Sequence, residues 1–283
     1  MSIILTGFSD EVHSDFGRQL ACFDACGVKA IEIRGVNGRG ILEYTPAEAE
    51  ELKKLLDGRG MHVSSIGSPI GKIGINDDFE AHFKLFENAL ELCGVFGTPN
   101  IRVFSWYVPG GEADRYEDEV MRRTERLLAA ARSRGAVLLH ENEKGIYGDT
   151  APRCLRLMRR FAGENFRTVF DFANFVQCSQ DTLEAFELLG PYIAYVHVKD
   201  ALKTGGRVVP AGWGDGHVKE ILAALRAAGY SGYLSLEPHL TDFIGFDRLE
   251  RGGAGEKRGL DGESAFRIAL DSLKALLWEL DWR

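Results

Sequence analysis

The stretch Ala136–Gly145 sets an apolar run, Ala136 to Leu139, directly before four polar residues, His140, Glu141, Asn142 and Glu143. Three later segments repeat the pattern. Arg167–Asn174 ends in Asp171 and Asn174, Ile193–Asp200 in His197, Lys199 and Asp200, and Tyr233–His239 in Glu237 and His239. Glu141, Asp171, His197 and Glu237 have the composition of a site for one divalent metal ion. Oxygen-rich ligation with a single histidine favours Mn²⁺, Mg²⁺ or Co²⁺ over a closed structural zinc, and Zn²⁺ stays compatible. A lone glutamate at a strand end is more often a salt-bridge partner than a ligand. Four such residues on consecutive strands, whose ends would share one mouth, are harder to assign that way.

An apolar run that turns polar only at its carboxyl end is what a parallel α/β barrel requires, because its strands are covered on both sides and chemistry collects at their carboxyl ends. The chain supplies eight such strands. They read as Ile3–Gly7, Ala30–Ile33, His62–Ile66, Asn100–Phe104, the opening stretch, Arg167–Asn174, Ile193–Asp200 and Gly232–Leu236. Helices alternate with them. Thr45-Pro46 with Glu48 makes a capping box with proline at the first turn. Later helices are expected over about Phe79–Gly94, Arg115–Arg134, Ala151–Phe161, Asp181–Leu189, Val218–Ala228 and Glu263–Leu280. Long loops follow the third, seventh and eighth strands, at Gly67–Asn76, Ala201–Gly216 and Thr241–Gly262, and are long enough to form a lid or the interface of a homo-oligomer. Strict alternation implies right-handed crossovers and a parallel sheet, and eight units can close. An open doubly wound sheet would want a glycine-rich phosphate fingerprint after the first strand, and Gly7-Phe8-Ser9-Asp10 is not one.

Composition agrees. A chain of 283 residues suits one barrel domain over residues 1–283, since such barrels take about 250 residues. No apolar run of about 18 residues is present, so no membrane span is expected, and the start Met1-Ser2-Ile3-Ile4 reads as a first strand rather than a signal peptide. The net charge of −8 argues against a nucleic-acid partner. Five cysteines in no metal-type pairing read as buried free thiols of a cytoplasmic protein.

The chain resembles the xylose isomerase-like TIM-barrel superfamily, which includes sugar isomerases and epimerases, hydroxypyruvate isomerase, inosose dehydratase and endonuclease IV. The resemblance runs from Phe8-Ser9-Asp10-Glu11 to the last helix. It is most specific at Leu139-His140-Glu141-Asn142, Phe170-Asp171-Phe172-Ala173-Asn174, Val196-His197-Val198-Lys199-Asp200, Pro210 to Gly216, and Leu236-Glu237-Pro238-His239. It implies a (β/α)8 barrel, a metal held by Glu141, Asp171, His197 and Glu237, and Glu141 and Glu237 as the acid–base pair on opposite faces of the substrate. Elementary chemistry fits that implication. Removal of a proton beside a carbonyl needs a stabilised enediolate, which a metal ion supplies, and a carboxylate on either side can take or return the proton. Return to the opposite face epimerises; return to the neighbouring carbon isomerises.

There are departures. The family's Asp-x-x-His pattern reads Asp171-Phe172-Ala173-Asn174 here, and asparagine hydrogen-bonds but cannot shuttle a proton as histidine does. Arg207 stands three residues before Pro210, where the epimerases carry a substrate-binding arginine; the plain reading is an exposed loop arginine. Trp213 is a sugar-site floor or a loop anchor. Trp106, with Tyr107, suits stacking on a sugar ring or packing in the core. Glu143 and Lys144 could reach substrate or form an internal ion pair. Lys199, with Asp200, could move a proton or clamp the metal ligands. Arg34 could hold a polar substrate group or pair with Glu32 or Asp10.

The expected function is a metal-dependent isomerase or epimerase of a small sugar, keto-sugar or cyclitol. The alternative is a lyase of the inosose-dehydratase kind, which shares the proton abstraction but expels a β-hydroxyl. An apurinic-site endonuclease, disfavoured by Asn174 and the acidic charge, and a non-catalytic binding barrel stand further off.

Overall fold

Ala30–Ile33 is buried at every residue and Ile193–Val198 at all but one, a pattern that only a strand covered on both faces can satisfy. The computed structural model describes residues 2–241 and 259–282. It contains eight such strands: β1 (Ile4–Gly7), β2 (Ala30–Ile33), β3 (His62–Ile66), β4 (Asn100–Val103), β5 (Val137–Glu141), β6 (Phe166–Asp171), β7 (Ile193–Val198) and β8 (Tyr233–Leu236). They lie side by side in the order β1-β8-β7-β6-β5-β4-β3-β2, parallel at every pairing. The remaining gap, between β1 and β2, is bridged by the parallel pair Phe8 and Glu32. The result is a nearly closed (β/α)8 barrel, as the alternation of elements predicts.

The outer ring comprises α1 (Phe16–Cys26), α2 (Pro46–Asp57), α3 (Phe79–Phe96), α4 (Ala113–Ser133), α5 (Ala151–Phe161), α6 (Thr182–Leu189), α7 (Val218–Ala227) and α8 (Gly262–Glu279). Their ends follow local chemistry. Thr45 and Glu48 form the expected capping box before Pro46, and Gly27 ends α1 at φ 71°, where a side chain would be strained. None of the described helices is long and apolar enough to cross a membrane.

Two details depart from expectation, and one expected loop lies largely outside the described residues. Phe172–Gln177 forms a short helix directly after β6, because Asp171 caps it by accepting from Asn174 N at 2.8 Å. The loop after β7 contains a hairpin, Asp200–Ala201 against Val208–Val209, turned by Gly205 and Gly206 at φ 80° and 67°. Of the loop expected over Thr241–Gly262, residues 242–258 lie outside the described residues.

Candidate active site

Alternate residues of a strand face the barrel interior, so the four candidate ligands arrive by register. Glu141 and Asp171 are the last residues of β5 and β6, His197 is the last but one of β7, and Glu237 follows β8. Asp171 pairs with His197 and Ser235 pairs with His197 across the strands. All four side chains are buried, and each offers one ligand atom within 4.8 Å of the other three.

The donor set fits a divalent ion: three carboxylates and one imidazole. Glu141 Oε2, Asp171 Oδ2 and His197 Nδ1 are buried and make no hydrogen bond among the described residues, although each has an ion-pair contact at 3.1–3.3 Å. Buried polar atoms are ordinarily satisfied, and a cation would satisfy these together.

The cluster is tightly compensated. Arg102 Nη1 lies 3.3 Å from Glu141 Oε2 and 4.0 Å from Glu237 Oε1. Lys199 Nζ lies 3.0 Å from Glu237 Oε2 and 3.3 Å from Asp171 Oδ2. Arg34 reaches Glu237 Oε1 at 3.1 Å while holding Asp10 and Glu11. Burial alone would raise the carboxyl of Glu141, but His197 and Arg102 bring it down to about 2. Burial is likewise outweighed at Glu237 by Lys199 and His239, which hold it well below the carboxylate range. Asp171 goes the other way: burial, only partly countered by Lys199, pushes it up to about 7. His197 is pulled down by burial but raised well above its usual value by Glu141 and Glu32 on its two sides.

The other candidates fall in different places. Asn174 Nδ2 donates to Glu141 Oε1 at 3.2 Å and to Asn142 O at 2.9 Å, so it braces two strand ends of the cluster. Glu143 makes the internal ion pair, with Lys72 at 2.7 Å. Lys144 donates to Gln177 at 2.7 Å. Asp200 is buried and accepts from the backbone N–H groups of Gly212, Gly214 and Gly216 at 2.9–3.0 Å, so it shapes the loop after β7 and does not enter the cluster. Trp213 on that loop is 72% exposed.

Two further candidates lie as follows. Trp106 is wholly buried, its ring 6.2 Å from that of Phe79 on α3. It packs against the helix layer. Arg207 is exposed on the hairpin after β7 and makes no ion pair among the described residues; its tie to the fold is the backbone, whose carbonyl accepts from Leu202 N at 2.9 Å.

Residues the sequence reasoning missed complete the site. Arg102 sits within β4, a charge inside an apolar run, which is the one trace its position leaves in the sequence. Glu32 pairs with His197 rather than with Arg34, its Oε2 lying 3.0 Å from Nε2. Glu11 accepts from the backbone of His239 at 2.8 Å.

Comparisons with known proteins agree with this fold. A curated 3-dehydroshikimate dehydratase of Bacillus anthracis is 24% identical over 177 residues, which span 62% of this chain and 62% of that protein. Among solved structures, the probable 3-DHS dehydratase AsbF of Bacillus anthracis superposes with a TM-score of 0.72 at 19% identity, covering 98% of both chains. The 3-keto-D-glucoside 4-epimerase YcjR of E. coli gives 0.68 at 19% identity, again over 98% of both. The IolI protein with a bound zinc atom gives 0.76 at 17% identity, over 98% of this chain and 99% of that one. At such identities the structural likeness establishes the fold alone. Residues 21–275 match the family described as xylose isomerase-like TIM barrel, and the chain belongs to that family.

Proposed function

We propose that the chain is a metal-dependent enzyme that removes a proton beside the carbonyl of a small polyhydroxylated substrate, acting as an isomerase or epimerase of a sugar, keto-sugar or cyclitol. The observation that carries this reading is the buried cluster of Glu141, Asp171, His197 and Glu237, with three ligand atoms left without hydrogen bonds. A divalent ion there would supply Lewis-acid polarisation of a substrate carbonyl. Glu141 and Glu237 are the acid–base pair: one, as carboxylate, takes the substrate proton, and the other, in its protonated form, returns one. Asn174 fixes the carboxylate of Glu141. Lys199 and Arg102 offset part of the excess of carboxylates, and Glu143 is held by Lys72.

A second reading, a lyase, is favoured by one specific observation: the curated relative is a 3-dehydroshikimate dehydratase. The same base serves both reactions, which differ only in the step after proton removal. One experiment decides. Mn²⁺-loaded protein is incubated in D₂O with a panel of ketoses, keto-glycosides, inososes and 3-dehydroshikimate. Deuterium at carbon in a product of unchanged composition supports the isomerase or epimerase; loss of water supports the lyase. Absence of both across the panel, with full metal occupancy, contradicts the substrate class.

A further inference from the structure

Glu32 comes from β2, a strand that supplies none of the four candidate ligands. Its side chain is out of solvent, and one oxygen serves two donors: Oε2 lies 3.0 Å from His197 Nε2 and accepts from Ser235 Oγ at 2.6 Å. The opposite ring nitrogen, His197 Nδ1, is the one that faces the cluster, 3.1 Å from Glu141 Oε1 and 3.6 Å from Glu237 Oε2. Phe8 and Tyr195 meet the imidazole edge-to-face, with ring centroids 5.2 and 5.7 Å away. The ring plane is thus fixed by packing, and Glu32 decides which nitrogen is turned toward the carboxylates.

The fold is bent locally at this position. Ile31 pairs with Val63, but Glu32 pairs with Ser65, so Ser64 is the extra residue of a bulge. The bulge is built in. The carbonyl of Ser64 accepts from Thr98 Oγ1 at 3.0 Å and Asn100 Nδ2 at 2.9 Å. Its hydroxyl joins Thr6 Oγ1 at 2.8 Å and the Tyr195 hydroxyl at 2.9 Å. Glu32 also forms the bridge to Phe8 that closes the barrel. Bulges re-aim side chains, and this one sets a buried carboxylate behind the single imidazole of the cluster.

We infer that Glu32 is a positioning residue for the metal centre: its carboxylate binds His197 Nε2, turns Nδ1 into the cluster, and so sets the affinity and ligand field of the bound ion. This rests on the metal reading proposed for the cluster. A histidine ligand whose far nitrogen is held by a carboxylate is oriented and made more basic, and loss of such a partner costs about 10–100-fold in metal affinity.

The test uses Co²⁺ as the probe, added to metal-stripped full-length protein, with affinity read by calorimetry and ligand field by the visible absorption of the ion. Glu32→Gln keeps an acceptor oxygen but not the charge, and is expected to weaken Co²⁺ binding roughly 10-fold; Glu32→Ala, which removes both, roughly 100-fold. The absorption band should shift in both variants. In a His197→Ala background, Glu32→Gln should cost nothing further, because the residue acts through that ring. Ser235→Ala, which only loosens Glu32, should weaken binding less and in the same direction, and it keeps the test available if the Glu32 variants fail to fold. If wild type binds Co²⁺ in a His197-dependent way while the Glu32 and Ser235 variants keep its affinity and spectrum, the inference is overturned and the metal reading stands. If wild type shows no His197-dependent binding, the metal reading itself falls and the inference with it.

Discussion

Arg102 and Glu141 face each other from neighbouring strands with 3.3 Å between Nη1 and Oε2, and neither has more than 2% of its side chain in solvent. A buried pair of this kind adds little net stability over an apolar pair, but removing one partner strands the other. Arg102→Met should therefore lower the unfolding free energy of metal-free protein by about 3–5 kcal/mol. A divalent ion would take over part of the compensation of Glu141, so the loss should shrink in saturating Mn²⁺. Urea unfolding with chelator and with Mn²⁺ gives both numbers. A loss under about 1 kcal/mol in chelator, or equal losses in the two conditions, would count against this account of the cluster.

Asp200 is the anchor of the loop from Pro210 to Gly216. A Cβ at Gly214 or Gly216 would come within 2.5 or 2.6 Å of its carboxylate, which is why glycine stands at both positions. Asp200→Asn turns an amide group toward backbone donors and should cost about 2–3 kcal/mol, the range for hydrogen bonds to a charged acceptor. Hydrogen exchange at the amides of Gly212, Gly214 and Gly216 should quicken selectively. Unchanged protection there would show that the loop is held by other contacts.

His82 links stability to pH. Its Nε2 accepts from Gly71 N at 2.8 Å, which requires a neutral ring. Burial, with Arg123 nearby, lowers its pKa from 6.5 to about 4. Because the folded value is the depressed one, the contribution is complete above about pH 6.5 and is lost as pH falls toward 4. Its ceiling is about 3 kcal/mol. Glutamine can accept the same bond without titrating, so the loss of stability between pH 7 and pH 4 should be smaller in His82→Gln than in wild type by about that amount. Parallel pH profiles for the two proteins would refute the assignment.

Glu141→Gln and Glu237→Gln keep an oxygen ligand and remove the basicity, so each should reduce turnover by about 100-fold or more, beyond any loss of metal occupancy. The two need not behave alike. Glu237 is ringed by Arg34, Lys199 and His239, whereas Glu141 has Arg102, Asn174 and the ring of His197. In an epimerase, one variant should still exchange the substrate proton with solvent while failing to invert the centre. Near-normal rates in both variants at full occupancy would remove the two-carboxylate mechanism.

The sequence made the strand ends legible because Glu141, Asp171, His197 and Glu237 each terminate an apolar run, and a parallel barrel has one place for such residues. Arg102 and Glu32 were harder, since each lies inside a four-residue strand where a single polar residue does not reveal which way it faces. The bulge at Ser64 leaves no trace in hydrophobic pattern, yet it aims Glu32. Trp106 was open to two readings because an aromatic residue just past a strand end can turn either to the mouth or to the helix layer. Here φ 59° and the contact with Phe79 place it in the helix layer. Arg207 follows from the hairpin, which depends on two glycines with positive φ in a segment read as loop.

The central claim is the metal centre, and its most direct measurement is Mn²⁺ binding to metal-stripped protein as a function of pH, in wild type and His197→Ala. Binding needs deprotonated ligands, while Asp171 at about 7 and His197 well above its usual value hold protons in the metal-stripped cluster. Affinity should therefore rise with pH through neutrality, with protons released on binding and one ion bound per chain. His197→Ala should be less stable than wild type but folded, and bind the ion about 100-fold more weakly or worse. No binding by wild type, or wild-type affinity in His197→Ala, would contradict the account.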